Sequence, residues 1–144
     1  MIKIELKRLD DDFLMQATNE SGNSIQMDAS EQIGGKGAAM RPMQVLLASM
    51  GGCSSIDVIS ILRKQRQPFT DIQVSLQGER EQGVEPSLFN NIQIHFKIFG
   101  DVDPAKAEVA VNLSMEKYCS VAKTLEKTAV IKHSFEIIPA THAK

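Results

Sequence analysis

The sequence predicts an α+β domain spanning residues 1–144, and three observations carry that prediction. Apolar and polar residues alternate strictly in short segments toward both ends of the chain. Between them, Met43 to Leu62 forms a long stretch whose only charge is Asp57. A second helical stretch opens at Asp103-Pro104, which gives the order three strands, helix, two strands, helices, strand.

Ile2, Ile4 and Leu6 alternate with Lys3, Glu5 and Lys7. Phe13, Met15 and Ala17 resume the period after "DDD", and Ile25 and Met27 do so after "NESGN". Period two with turn residues between predicts an antiparallel three-stranded meander. "EQIGGKGAAMRP" reads as a flexible connector. Gly34-Gly35-Lys36-Gly37 lacks the GxxxxGK[ST] spacing of a phosphate loop, and Ala38 stands where Ser or Thr would be needed. Pro42 suits the first turn of the central helix, and Pro68 forbids its continuation.

Ile72, Val74 and Leu76 predict the next strand. In the one after it, Ile92, Ile94, Phe96 and Ile98 form one face, and His95 lies on the solvated face with Asn91, Gln93 and Lys97. These further strands are expected to be antiparallel. Asp103 can cap the following helix and Pro104 can open it, with Ala105, Val109 and Leu113 as its apolar positions. A break at Tyr118-Cys119-Ser120 and a restart capped by Ser120 follow, with Val121, Ala122 and Leu125 apolar. Ile131, His133, Phe135 and Ile137 share a face of the last strand, His133 at the edge of the core, and "ATHAK" is expected to fray.

Composition narrows the function classes. Hydrophobic residues make up 42% of the chain and charged ones 24%, the balance of an ordinary globular protein. Sixteen basic against eighteen acidic residues give −2 without a run of one sign, so nucleic acid and anionic membrane surfaces are not expected partners. "MIKIELKRLD" has no apolar run of the secretory kind, which predicts a cytoplasmic protein. Met43–Leu62 is long enough to suggest a membrane span. Its serines, its Gly pair and Asp57 favour instead a helix buried on most sides within the protein.

Chemistry concentrates at the two cysteines. Cys53 follows Gly51-Gly52 inside the central helix, on a face with Leu46, Ser49, Ile56 and Ser60. Each helical glycine costs about 0.5–1 kcal/mol relative to alanine, so the pair calls for a reason. Close approach of another backbone or a substrate, or a kink beside the sulfur, would each open a route to the thiol. Cys119 stands where a helix restarts, where the dipole favours thiolate, with Lys117 and Lys123 near in sequence. A hundredfold shift toward thiolate takes about 2.7 kcal/mol, whereas one helix end supplies about 0.3–1 kcal/mol, so a second cation is required. The two thiols suit a peroxidatic and resolving pair. Two cysteines 66 positions apart without CxxC or a clear histidine partner do not predict a metal site.

"RPMQVLLASMGGCSSIDVISIL" resembles the cysteine helix of the OsmC/Ohr family, the osmotically inducible and organic hydroperoxide resistance proteins, and "MEKYCSVAKTLEK" resembles that family's second cysteine segment. The resemblance covers nearly the whole chain as one OsmC-like domain. It implies an intertwined homodimer with sites at the subunit interface, Cys53 as peroxidatic and Cys119 as resolving thiol. It further implies reduction of organic hydroperoxides, no bound cofactor, and recycling by an external dithiol such as a lipoyl protein. In peroxidase branches a glutamate follows the helix-opening proline and works with an arginine; here that position is Met43, and Ser120 stands where proline is common. Arg41, Met43 and Gly52 are therefore the candidate activating or pocket residues. An alternative reading is a non-enzymatic dimer that binds a small apolar molecule or senses redox state. A third reading leaves both cysteines as core filler.

Overall fold

The computed structural model describes residues 1–140, so all but the first residue of the "ATHAK" tail lies outside the described residues. The chain forms two compact units, Met1–Leu46 and Leu47–Lys144.

The first unit is the expected meander: β1 (Ile4–Arg8), β2 (Met15–Asn19) and β3 (Ser24–Met27), paired antiparallel in that order. Its turns are built by side chains. The Asp10 carboxylate accepts from the Asp12 and Leu14 N–H groups at 2.9 and 3.1 Å, and the Asn19 amide oxygen accepts from Ser21 and Asn23 at 3.0 and 2.9 Å. The first turn absorbs Phe13, which therefore lies outside β2 and is exposed. The glycine-rich connector is not loose. The buried Asp28 accepts from Ala29 and Ala38 N–H at 2.7 and 3.0 Å, and its own N–H donates to Met40. Two main-chain donors that an anion would need already serve this carboxylate.

Helix α1 runs unbroken from Pro42 to Lys64. It ends as the Gln67 N–H reaches back to Leu62 and the Arg66 N–H to Arg63, with Arg66 at φ 56°, a Schellman stop ahead of Pro68. The helix is long and apolar enough to cross a membrane by composition alone. In the single chain, however, it is buried along one stripe, Met50, Ser54, Val58 and Leu62, rather than on most sides as expected.

The second unit is built around β5 (Phe89–Gly100), which pairs antiparallel with β4 (Phe69–Arg80) and parallel with β6 (Val130–Ile138). The parallel partner departs from the antiparallel expectation. A parallel neighbour requires a long crossover, and α2 (Pro104–Leu113), a π-helical turn (Ser114–Tyr118) and α3 (Ser120–Leu125) supply it. Period two on β5 buries Ile92, Ile94, Phe96 and Ile98 on one face, as expected. His133 on β6 meets Asn112 of α2 at 2.9 Å at the core's edge. His95, on the opposite sheet face, meets Ser134 at 2.7 Å. Gly100, at φ 119°, lets the Pro68–Thr70 backbone pass where a Cβ would stand 2.6 Å from the Pro68 carbonyl oxygen.

Helix α2 starts as expected, the Asp103 carboxylate accepting from Ala105 N–H at 2.9 Å with Pro104 at the first position. Its buried face is Ala107, Ala110 and Val111, not Ala105, Val109 and Leu113. The helix is short and alanine-rich, so several apolar stripes fit the same letters, and the side facing the sheet decides. Phe96→Ala is expected to cost about 3–5 kcal/mol in urea unfolding, whereas Val109→Ala should change stability by less than about 0.5 kcal/mol.

Candidate functional site

The two glycines before Cys53 have separate jobs. A Cβ on Gly51 would stand 2.6 Å from Leu76 Cδ1, so this glycine lets α1 approach β4. A Cβ on Gly52 would meet nothing within 4 Å, so open space lies on that side of the helix. Backbone hydrogen bonding continues through the pair, with the Ser54 and Ser55 hydroxyls donating to the Met50 and Gly51 carbonyls at 2.8 and 2.7 Å.

The stripe that α1 buries ends in polar contacts with the crossover. Ser54 Oγ lies 3.3 Å from Cys119 Sγ and 3.4 Å from Met115 Sδ. The hydroxyl carries one proton, so these acceptors and the Met50 carbonyl share it in turn. Ser114 Oγ reaches the Ser54 carbonyl at 3.3 Å and the Asp57 carboxylate at 3.2 Å. The π-helical turn puts Ser114 there: the Cys119 N–H donates five residues back to the Ser114 carbonyl at 2.7 Å. Cys119 itself caps α3, its sulfur accepting from the Ala122 N–H at 3.4 Å. The expected cap, Ser120, is exposed instead.

These contacts bring together what the sequence separates by 66 positions. The Cys53 and Cys119 sulfurs and a carboxylate oxygen of Asp57 all lie within 4.8 Å of one another. Both cysteines are reduced; Cys53 and Asp57 are partly buried and Cys119 is wholly buried. Asp57 also borders a cleft of about 490 Å³, lined with it by Ser60, Ile61, Lys64, Leu113 and Tyr118.

Burial pushes the Cys119 thiol above its ordinary value. The hydrogen bonds from Ser54 and Ala122 act the other way but do not offset it, and Cys53 alongside adds to the rise. The helix-start argument thus loses to desolvation. The lysines near in sequence are occupied: Lys117 lies 5.3 Å from the Tyr118 ring centre and Lys123 pairs with Glu126 at 3.2 Å. Met43 is the second residue of α1 and Arg41 directly precedes the helix, ten and twelve residues before Cys53 in the sequence. Ser54 and Ser114 take part where sequence reasoning had not placed them, whereas Asp57 lies beside Cys53 as its position one turn along the helix implies. Only Asp57, one turn after Cys53, left a readable sign.

A family model described as OsmC-like protein matches residues 35–134. The chain belongs to the OsmC-like family. Among OsmC-like relatives, protein YhfA of Escherichia coli K12 is 47% identical over 121 residues, 83% of this chain and 87% of YhfA. A hypothetical protein from Aquifex aeolicus VF5 shares the fold with a TM-score of 0.83 at 32% identity, over 96% of this chain and 97% of that one. An organic hydroperoxide resistance protein OsmC from Legionella pneumophila shares the OsmC-like fold with a TM-score of 0.70 at 17% identity, over 93% of this chain and 96% of its own.

Alkylation of the native reduced protein with iodoacetamide is expected to label Cys53 on the order of tenfold or more faster than Cys119, because only Cys53 is exposed to reagent. Peptide mapping reads the ratio, and the difference should vanish in denaturant.

Proposed function

We propose that this protein reduces organic hydroperoxides by a two-thiol cycle. The family relation supports an oxidative-stress or hydroperoxide-related role. The observation that carries the finer reading is the approach of the Cys53 and Cys119 sulfurs to within 4.8 Å, one partly exposed and the other buried behind it.

In the first step Cys53, having lost its proton, attacks a peroxide oxygen. The O–O bond breaks, the sulfur becomes sulfenic acid, and the alkoxide leaves as alcohol after taking up a proton. Asp57 is the carboxylate at hand to hold and return that proton, in a chain where Met43 occupies the position of the family's activating glutamate. In the second step Cys119 attacks the sulfenic sulfur, an S–S bond forms and water leaves. An external dithiol, a lipoyl-bearing protein being the fitting class, then reduces the disulfide and is itself oxidised. The cytoplasm, which keeps thiols reduced, is the compartment this cycle suits.

The working form is a homodimer. Ile4, Leu6 and Ile25 of the meander and Ile56 of α1 are each at least half exposed, more apolar surface than an isolated chain would leave in water. A second copy covering them would bury Ile56 of α1 while the Cys53 thiol keeps its route to solvent.

The test is a free-thiol count with intact mass under denaturing conditions, before and after one equivalent of cumene hydroperoxide. Loss of two thiols and two mass units per chain is expected. Cys53→Ser should abolish peroxide consumption, and Cys119→Ser should leave a trappable sulfenic acid. Persistence of both thiols beside unreacted peroxide overturns the cycle and leaves the ligand-binding dimer, which thermal-shift measurements with small apolar molecules would then examine.

A further inference from the structure

We propose that Cys53, Asp57 and Cys119 form a binding site for a thiophilic divalent cation, zinc foremost, in the reduced protein. The inference stands apart from the peroxide cycle, since it concerns only the resting thiols. Chain spacing argued against a metal, but the fold removes that objection by adding a carboxylate to the two sulfurs.

The donor set is the first argument. Two thiols and one carboxylate are three ligands that zinc takes readily, and three protein ligands with an open fourth position is the arrangement of a non-structural zinc site. With zinc–sulfur bonds of about 2.3 Å and zinc–oxygen bonds of about 2.0–2.2 Å, tetrahedral ligand atoms stand about 3.5–3.8 Å apart. The three atoms here lie within 4.8 Å of one another, so side-chain movements of about an ångström close the site. A disulfide needs the same two sulfurs drawn to about 2 Å.

The second argument is the surrounding shell. Ser114 Oγ–H is placed to donate to Asp57 at 3.2 Å, and Cys119 Sγ has donors in Ser54 Oγ–H at 3.3 Å and Ala122 N–H at 3.4 Å. Outer-shell donors of this kind orient metal ligands. Lys117 and Lys123 are turned to other partners, and a bound divalent cation would balance most of the charge of two coordinating thiolates and a carboxylate. The cleft bordered by Asp57, Lys64 and Tyr118 opens the carboxylate ligand to solvent and to an approaching cation.

Binding exchanges two thiol protons for one divalent cation, leaving the site with one net negative charge. Metal and disulfide compete for the same sulfurs, so an occupied site shields both thiols from oxidation.

The test uses the full-length, reduced, metal-free protein under anaerobic conditions. Native mass spectrometry with zinc alone should show one ion per chain with loss of two protons. Cadmium alone should give the charge-transfer absorption of two cysteinyl ligands. Asp57→Asn should weaken binding at least ten- to hundredfold, and Cys53→Ser by more than that. Cys119 is buried, so its part is read from the cadmium band of the unsubstituted protein rather than from a variant. No adduct at micromolar zinc, a one-sulfur cadmium band, or unchanged affinity in Cys53→Ser overturns the site. Peroxide consumption is assayed separately on the metal-free protein. Inactivity there with intact metal binding removes the peroxide cycle alone, and activity without metal binding removes the metal site alone.

Discussion

Two buried serines hold the site together. Ser54 and Ser114 are both fully inaccessible to solvent, and a buried hydroxyl left without a partner costs about 1–3 kcal/mol. Ser54 keeps the Met50 carbonyl of its own helix at 2.8 Å and also reaches Cys119 at 3.3 Å, whereas Ser114 reaches the Ser54 carbonyl and Asp57 across the junction where the π-helical turn meets α1. A one-residue slip of either element would take the Ser114 hydroxyl away from both acceptors on α1. The proximity of two thiols far apart in the chain depends on the same register.

Desolvation is the competing force at that junction. A helix start contributes about 0.3–1 kcal/mol toward a thiolate, and the Cys119 sulfur has that position as well as two hydrogen-bond donors. Complete burial still leaves its thiol harder to ionise than usual. Cys53 stands on the boundary instead, between the buried stripe of α1 and a face on which Ile56 is exposed. The two cysteines therefore differ by environment rather than by neighbouring charge.

Much of the fold was legible because it depends on local rules. Alternation located the meander and the inner face of β5, Pro42 and Asp103-Pro104 marked helix starts, and Pro68 lay just past a helix end. What escaped depends on contacts between distant segments. The direction of β6 is set by the path of the crossover, and the buried face of α2 by where the sheet lies. The break at Tyr118-Cys119-Ser120 was visible, but not that the sulfur, rather than the Ser120 hydroxyl, would cap the next helix. At the site, the pairing of Cys53 with Cys119 came from resemblance, while the two serines carry no sequence signal of their own. A serine that fills a helix crossing reads like any other serine.

The sulfur cap of α3 has a consequence for how the protein reports its own state. The Ala122 amide hydrogen is held by Cys119 Sγ, so whatever happens to that atom is felt by the first turn of the helix. A free thiol, a thiolate and a sulfur bound to another partner differ in charge and acceptor strength. A single backbone amide in a six-residue helix thus becomes a gauge of sulfur chemistry, one that nuclear magnetic resonance could follow without label, inhibitor or turnover.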